Sequence, residues 1–252
     1  MSGHSKWANI KHRKGAQDAK RGQLFSKLAK EITVAAKTGG GNPENNVRLR
    51  VAIERAREAN MPTDNIERAI KRGTGELEGV TYEEVTYEGY GPGGVAIIVN
   101  VLTDNKNRTA ADIRKIFSRL GGNLGTSGSV SWIFEKKGYI SVDSSKYNED
   151  DILEIALEVG ADDVKKEDDV ISIYTPIELF SNVLNALKNK GIEVKVAEIS
   201  MIPKTVTTVD DETAVKVLRL LDELESNDDV QSVASNLDAS DTAFEKFSKE
   251  AA

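Results

Sequence analysis

Apolar residues recur at helical spacing between residues 24 and 73, and this pattern predicts three helices. The first runs from Leu24 to the three glycines at 39–41, the second spans 46–59, and the third begins at a cap at Thr63 or Asp64 and ends at Gly73. Residues 2–23 hold only Trp7 and Ile10 as large apolar side chains, which indicates an extended arm. The sequence therefore predicts an all-helical head preceded by an arm.

After residue 80 the pattern becomes typical of strands alternating with helices. A hairpin is predicted over 81–88 and 95–102, and a helix over 107–120. Further strands are expected at 129–134, 139–142, near Val164, at 170–174 and at 194–201, with helices at 151–159 and 176–190. The order from residue 139 onward is βαββαβ, the split-βαβ or ferredoxin-like arrangement. Residues 205–237 add a strand fragment, a leucine-rich helix and a last strand.

These elements predict an α+β multidomain protein with a helical N-terminal domain and two α/β lobes. Segments 80–135 and 204–237 are each too short to form an independent hydrophobic core, so we expect them to form one middle lobe together. Residues 136–203 are then a ferredoxin-like lobe inserted into it. The head comprises residues 1–79 with the arm, and residues 238–252 are expected to be a frayed tail.

Composition narrows the class of protein further. The 252 residues include no cysteine, which excludes disulfides, thiol nucleophiles and cysteine-bound metal and suits a reducing compartment. The longest clean apolar run, 95–99, is far too short to span a bilayer, and residues 1–30 have no apolar core of a signal peptide. We expect a cytoplasmic protein with no membrane partner.

The charge is divided unevenly along the chain. Residues 1–75 hold 16 Lys/Arg against 7 Asp/Glu, a charge of +9, although the whole chain carries -7. Residues 76–252 therefore carry -16. A polyanion would meet the basic head first.

Cations and one indole in the head are candidates for binding nucleic acid. The candidates in the arm are Lys6, Trp7, Lys11, His12, Arg13, Lys14, Lys20 and Arg21. Those on helix one are Lys27 and Lys30, and those on helix three are Arg68, Lys71 and Arg72. Trp7 either anchors the arm to the helices or stacks on a base, and we favour the anchor. His12, like His4, either contacts a phosphate or base or is an ordinary exposed histidine, and the cations could instead form a solvated tail.

The sequence either lacks catalytic and cofactor-binding motifs or places them where the neighbouring elements do not suit the site. The motif G-x-G-x-x-G at 89–94 leads into a strand rather than a helix, which favours a hairpin turn over a dinucleotide site. The glycines at 39–41 lack the Lys-Ser/Thr of a phosphate loop and indicate a linker. Acidic clusters at 149–151 and 210–212 fall at helix first turns, whereas 167–169 and 228–229 look like solvated turns. We predict no enzyme, no metal and no cofactor.

Four motifs carry a resemblance to a known family: GHSKWANIKHRK at 3–14, NMPTDNIERAIKRG at 60–73, EGYGPGG at 88–94 and NRTAADIR at 107–114. The chain resembles the YebC/PmpR family, whose mitochondrial relative is a translational activator of cytochrome oxidase. The match is continuous over about residues 2–140, and the C-terminal half agrees mainly in pattern and length.

The resemblance implies a cytoplasmic three-domain protein that binds DNA and regulates transcription. It also implies an alternative, a ribosome-associated translation factor that binds ribosomal or transfer RNA and relieves stalling on proline-rich nascent chains. The third helix carries mostly Arg and Lys and little base-reading chemistry, so the sequence does not predict a helix-turn-helix. DNA-binding regulation is the leading interpretation, and we expect a monomer.

Overall fold

The structure, a computed structural model of the chain, describes residues 5–8, 18–167 and 169–250, with the backbone alone at 18–20. Residues 5–8 are helical. The longer helices are α1 (Asp18–Gly39), α2 (Val47–Glu58), α3 (Thr63–Thr74), α4 (Lys106–Arg119), α5 (Glu149–Glu158), α6 (Phe180–Asn189), α7 (Asp211–Glu225) and α8 (Asp241–Glu250). The strands are β1 (Glu83–Tyr90), β2 (Ala96–Thr103), β3 (Asn123–Leu124), β4 (Phe134–Asp143), β5 (Asp163–Glu167), β6 (Val170–Thr175), β7 (Val194–Pro203), β8 (Thr207–Thr208), β9 (Val230–Ser235) and β10 (Leu237–Asp238).

The head packs its three helices around one apolar core. The stripe predicted on α2, which includes Leu49 and Ile53, is buried, and it meets Leu28 and Ile32 of α1 and Ile66 of α3. The side chain of Asn46 accepts a hydrogen bond from the backbone N–H of Leu49 at 3.1 Å and caps α2. The three predicted helices are therefore confirmed.

Two predicted boundaries in the head are wrong. Helix α1 begins at Asp18 rather than Leu24, so residues 18–23 belong to it and not to an extended arm. Helix α3 continues past Gly73 to Thr74, and Gly75, with a φ of 82°, supplies the left-handed cap. Gly73 instead allows close helix packing, because a Cβ there would lie 2.4 Å from the carbonyl oxygen of Thr33.

A four-stranded antiparallel sheet, the middle sheet, follows the head in the order β3-β1-β2-β9. Strand β2 pairs with β1 as the predicted hairpin and with β9 across a long stretch of chain, for example Val99 with Val233. Helices α4, α7 and α8 pack on one face of this sheet. Strands from both sides of residues 136–203 thus share one sheet, while the division of the chain into folding domains stays a prediction.

Residues 134–203 form a second antiparallel sheet in the order β5-β6-β4-β7, covered by α5 and α6. Ile140 of β4 pairs with Ile173 of β6 on one side and Ala197 of β7 on the other. The predicted βαββαβ order is confirmed, including the strand near Val164. We call this region the inserted lobe.

One predicted strand is wrong in this region. Residues 129–133 are not a strand, because Ser131–Ile133 forms a turn of 3-10 helix and β4 starts only at Phe134. Strand β4 then runs unbroken to Asp143, where the sequence predicted a strand limited to 139–142. The backbone N–H groups of Gly128, Val130 and Ser131 bond to the Glu88 carboxylate rather than to a neighbouring strand.

The expectation of a frayed C-terminal tail is wrong for residues 241–250. They form α8, which buries Ala243, Phe244 and Phe247 against the core beneath α7. The three apolar side chains have helical spacing, so a sequence signal for this helix existed. Within the described part of the chain, no helix combines the length and hydropathy that a membrane span requires.

Candidate nucleic-acid interface

The N-terminal helical turn, residues 5–8, is packed against the body of the protein. Ser5 approaches the hydroxyls of Tyr174 and Ser172 on β6, and Ala8 is buried beside Tyr139 and Tyr174. These contacts place Ser5 and Ala8 on the inserted lobe. The extended arm predicted for residues 2–23 is therefore wrong at residues 5–8.

Trp7 is 6% exposed, and its ring centroid lies 6.0 Å from that of Phe247 on α8. This burial agrees with the anchoring interpretation and leaves no indole face for a base. The partner differs from the expected one, because Trp7 packs with the core of the middle sheet and α8 rather than with the helices of the head.

Of the other candidate residues of the arm, Lys6 and Arg21 lie in the part of the chain that the structure describes. Lys6 forms an ion pair with Asp241 and lies 5.8 Å from the ring centroid of Phe244, so α8 engages its charge. Arg21 is exposed on the first turn of α1. The candidates that lie outside the described residues are Lys11, His12, Arg13 and Lys14, together with His4 and the side chain of Lys20.

Lys27 and Lys30 on α1 face the acidic part of the molecule. The Lys27 ammonium donates to the carbonyl oxygen of Glu225 at 2.5 Å. The Lys30 ammonium donates to Asp229 Oδ1 at 2.7 Å and to the carbonyl oxygen of Asp228 at 3.0 Å. The expectation that both lysines extend an open positive surface is wrong, because their charges join the head to the end of α7 and the turn before β9.

Asp229 lies at the centre of this contact. Besides Lys30 it accepts hydrogen bonds from Arg108 at 2.7 Å and from Thr109 at 2.7 Å. Burial opposes ionisation, but the donors outweigh that effect and lower the pKa of Asp229 to about 2. The solvated turn predicted at 228–229 is therefore wrong for Asp229, which is 7% exposed.

A polar cavity of about 350 Å³ opens beside this network. It is lined by Lys30, Tyr82, Asp104, Arg108, Asp112, Asn227, Asp228 and Asp229. Its two cations are already paired with carboxylates. Within residues 5–8, 18–167 and 169–250, no group of three or more acidic or histidine side chains is arranged to hold a metal ion.

The last two turns of α3 present three exposed cations of the head. Arg68, Lys71 and Arg72 are all exposed, and their spacing of three and four residues places them on adjacent turns of one side of the helix. Arg68 donates to the side chain of Asn65 at 3.0 Å and to no carboxylate among the described residues. All three cations predicted on α3 are thus open to solvent.

Lys37 was missed by the sequence reasoning. It lies exposed in the last turn of α1, and its backbone nitrogen would lie 3.1 Å from a Cβ at Gly73 of α3. Its position two residues before the glycines at 39–41 was the available signal. Lys37 belongs to the same end of the head as Arg72.

The remaining motifs have structural roles. Gly91 donates its N–H to the carbonyl oxygen of Val95 at 2.8 Å and closes the turn between β1 and β2, which confirms the hairpin interpretation of 89–94. The acidic residues 149–151 lie in the first turn of α5. Asp210 caps α7 by accepting from the N–H of Thr213 at 2.9 Å. Both acidic clusters are therefore at helix starts, as predicted.

A basic helical head joined to two antiparallel α/β sheets, one carrying ferredoxin-like topology, defines the architectural class of this protein. Residues 5–76 match the TACO1/YebC protein N-terminal domain, and residues 82–237 match the TACO1/YebC second and third domain. The chain belongs to the TACO1/YebC family.

Relatives resemble the chain over almost its full length. A protein of Dictyoglomus turgidum is 60% identical over 98% of this chain and 100% of its own, and one of Treponema denticola is 59% identical over 94% and 96%. Both are named probable transcriptional regulatory protein. The crystal structure of a conserved hypothetical protein from Aquifex aeolicus is 52% identical, with a TM-score of 0.81 over 89% of this chain and 93% of that one.

Proposed function

We propose that the protein is a DNA-binding regulator of transcription whose head binds the phosphate backbone through α3. The observation that carries this proposal is the contrast between two sets of cations. The Lys30 ammonium is paired with Asp229, and the Lys27 ammonium donates to a backbone carbonyl of the body. Arg68, Lys71 and Arg72 instead remain exposed and are paired with no carboxylate among the described residues. The names of the relatives from Dictyoglomus turgidum and Treponema denticola support a regulatory role.

Cations on one side of a helix suit a polyanion because each neutralised phosphate releases condensed counterions. Such contacts position a protein on nucleic acid without reading its sequence. Glu67 and Asp64 occupy the other half of α3, so the cationic part of the helix is its last two turns. We expect the cations of the arm, Lys11, Arg13 and Lys14, to add to the same binding surface.

The second candidate is a translation factor that binds ribosomal or transfer RNA. The exposed side chains on the cationic part of α3 are suited to phosphates rather than to base edges, and phosphates are common to both nucleic acids. A regulatory role in the cytoplasm agrees with both candidates and with the cysteine-free sequence. Neither needs a catalytic group, a metal or a cofactor, and the protein would act as a monomer.

The test measures binding of the full chain to a DNA duplex and to a structured ribosomal RNA fragment by fluorescence anisotropy over a range of salt. Replacing Arg68, Lys71 and Arg72 by Ala should weaken binding and flatten the dependence of log affinity on log salt by about 2–3. The matched control replaces Lys188, Arg119 and Arg219, which lose the same charge but are paired with acids of the protein.

An unchanged salt slope in the α3 variant would remove α3 from the interface. Crosslinking in cells followed by sequencing of the bound nucleic acid then separates the two candidates. Promoter fragments are expected from a transcriptional regulator. Enrichment of ribosomal and transfer RNA without promoter DNA would overturn the leading proposal in favour of the translation factor.

A further inference from the structure

An exposed indole stands on a short turn between α4 and β4. Trp132 is 67% exposed, and it lies in the 3-10 turn Ser131–Ile133, whose next residue Ile133 is buried. Burial of an aromatic side chain of this size contributes a large part of the stability of a core or an interface. Trp132 contributes little to the core of its own chain, so core packing does not explain a tryptophan at this position.

The turn that carries Trp132 is held rigidly. Glu88 is 5% exposed, and its carboxylate accepts three backbone hydrogen bonds, from Gly128 at 2.8 Å, Val130 at 2.7 Å and Ser131 at 2.8 Å. Burial opposes ionisation of Glu88, but the three N–H donors outweigh it and hold the pKa of Glu88 below its ordinary value. The loop before Trp132 is therefore organised around a buried anion.

The indole itself is oriented by a hydrogen bond. Trp132 Nε1 donates to the carbonyl oxygen of Ser129 at 3.1 Å, and the same oxygen accepts from the Tyr90 hydroxyl at 2.9 Å. The polar edge of the ring is thus satisfied within the loop, and what the ring offers to solvent is apolar surface. A ring held in one orientation loses less conformational entropy when a ligand stacks on it.

The turn that carries the ring is bonded through its backbone to a segment with an exposed lysine, and exposed hydroxyl side chains lie in the loop before it. Lys204 donates its backbone N–H to the carbonyl oxygen of Ile133 at 2.8 Å, and its side chain is exposed with no ion pair inside the described ranges. Thr126 and Ser127 are exposed in the same loop. An ammonium on the segment bonded to this turn and hydroxyl donors in the same loop suit a phosphate that adjoins a base stacked on the ring.

We propose that Trp132, with Lys204 on the segment bonded to its turn, is a binding site for an unpaired nucleobase of single-stranded RNA or DNA. The flat ring stacks on the base, and Lys204 contacts the adjoining phosphate. Stacking on an aromatic side chain accepts any base because every base has a π face. A base inside an intact duplex is covered on both faces, so a duplex does not bind this site.

This site is separate from α3 and does not depend on the proposed function. The part of the chain from residue 76 onward carries -16, so its affinity for a polyanion comes from stacking more than from charge. We therefore expect the site to add to the binding of the full chain, and to release few counterions of its own.

The experiment titrates the full chain with a 12-nucleotide oligo-U RNA, a 12-nucleotide oligo-dT DNA and a blunt DNA duplex, and follows tryptophan emission. Trp7 is buried and Trp132 is exposed, so quenching by an oligonucleotide reports mainly on Trp132. The variant W132A should weaken single-strand binding about 5- to 100-fold with an unchanged salt slope. The variant W132F keeps a ring and should restore most of the affinity, and K204A should flatten the slope by about 0.7.

Val206→Ala is the matched control, since it removes exposed apolar surface from the same region without removing a ring. Equal single-strand binding by wild type and W132A would overturn the proposal, as would equal quenching by the duplex. Quenching by a proline-rich peptide but by neither oligonucleotide would assign the ring to a protein partner instead. Comparing oligo-U RNA with oligo-dT DNA shows whether the site binds bases of RNA, of DNA or of both.

The Arg68/Lys71/Arg72 variant separates this inference from the proposed function. Quenching of Trp132 at saturating oligonucleotide should persist in that variant. If it persists and duplex binding is unaffected, α3 is not the DNA site but the Trp132 site stands. If the α3 variant loses duplex binding and W132A binds every oligonucleotide as wild type does, α3 is the DNA site and the Trp132 proposal is wrong.

Discussion

The ammonium of Lys30 lies 2.7 Å from the carboxylate of Asp229, a contact between residues 199 positions apart in the chain. It joins the first helix of the head to the turn before the last strand of the middle sheet. Arg108 and Thr109 from α4 bind the same carboxylate. Three separate parts of the chain therefore meet at one largely buried acid.

Asp229→Ala should destabilise the protein by about 1–3 kcal/mol, because the hydrogen bonds from Thr109, Lys30 and Arg108 lose their acceptor. Urea unfolding measures the change. Asp228→Ala is the control, because Asp228 is exposed and its backbone carbonyl, which accepts from Lys30, is retained. An effect of Asp228→Ala as large as that of Asp229→Ala would contradict the assignment.

The same carboxylate predicts a dependence of stability on pH. The pKa of Asp229 is about 2 in the folded protein and about 3.9 in an unfolded chain, so its ionised form favours folding. Its contribution is complete above about pH 4 and is lost as the pH falls toward 2. We expect Asp229→Asn to make the loss of stability between pH 4 and pH 2 shallower than in wild type, measured by urea unfolding at each pH.

Gly73→Ala should destabilise the head by about 1–3 kcal/mol, although Ala is the better helix former. A Cβ at Gly73 would lie 2.4 Å from the carbonyl oxygen of Thr33 and 2.7 Å from the Cβ of Ala36, so α1 and α3 would have to separate. Gly22→Ala is the matched control, with no atom within 4 Å of its added Cβ. Thermal unfolding should show Gly22→Ala neutral or stabilising, and equal effects at the two sites would refute the packing explanation.

Trp7→Ala and Phe247→Ala should each cost about 3–5 kcal/mol of stability, because both rings are buried. The double variant should cost less than the sum, by about 0.5–3 kcal/mol, since the two rings pack on each other. A double-mutant cycle by urea unfolding measures this coupling, with exposed Lys246→Ala as the control. Strict additivity would show that the two ends of the chain are not energetically joined.

Glu88→Ala should cost about 3 kcal/mol or more, because three N–H groups lose their acceptor. Glu88→Gln should cost less, since one oxygen still accepts. Glu84→Ala on the same strand is the control, as its pair with Arg48 is exposed and should change stability by about 1 kcal/mol at most. Glu88→Gln should also weaken oligonucleotide quenching of Trp132, and unchanged quenching with lowered stability would limit Glu88 to a structural role.

Elements defined by local spacing were predictable from the sequence. The stripe Leu49, Ala52, Ile53 and Ala56 predicted α2, and the β-rich run at 95–102 predicted β2. Helix α8 had the same kind of signal and was overlooked. The partners of Lys30 were not predictable, because local periodicity carries no information on which distant carboxylate a lysine will meet.

In the candidate interface, too, local spacing was predictable from the sequence and tertiary contacts were not. Exposure of Arg68, Lys71 and Arg72 follows from the apolar stripe on the opposite side of α3, which includes Ile66 and Ala69. Lys27 and Lys30 also lie on a helix with an apolar stripe, yet the body contacts both of them. Which cations remain exposed is decided by the tertiary contact between the head and α7. That the exposed cations bind nucleic acid stays a prediction.

The pairing of β2 with β9 has a consequence for the order of folding during synthesis. Every strand of the inserted lobe is complete once residue 203 has emerged, whereas β2 waits for residues 230–235 before its second edge is paired. Strand β2 is almost wholly apolar, with seven of its eight residues buried in the finished protein. Until β9 arrives, the nascent chain exposes an apolar edge strand, which is the interval in which aggregation and the need for a chaperone are greatest.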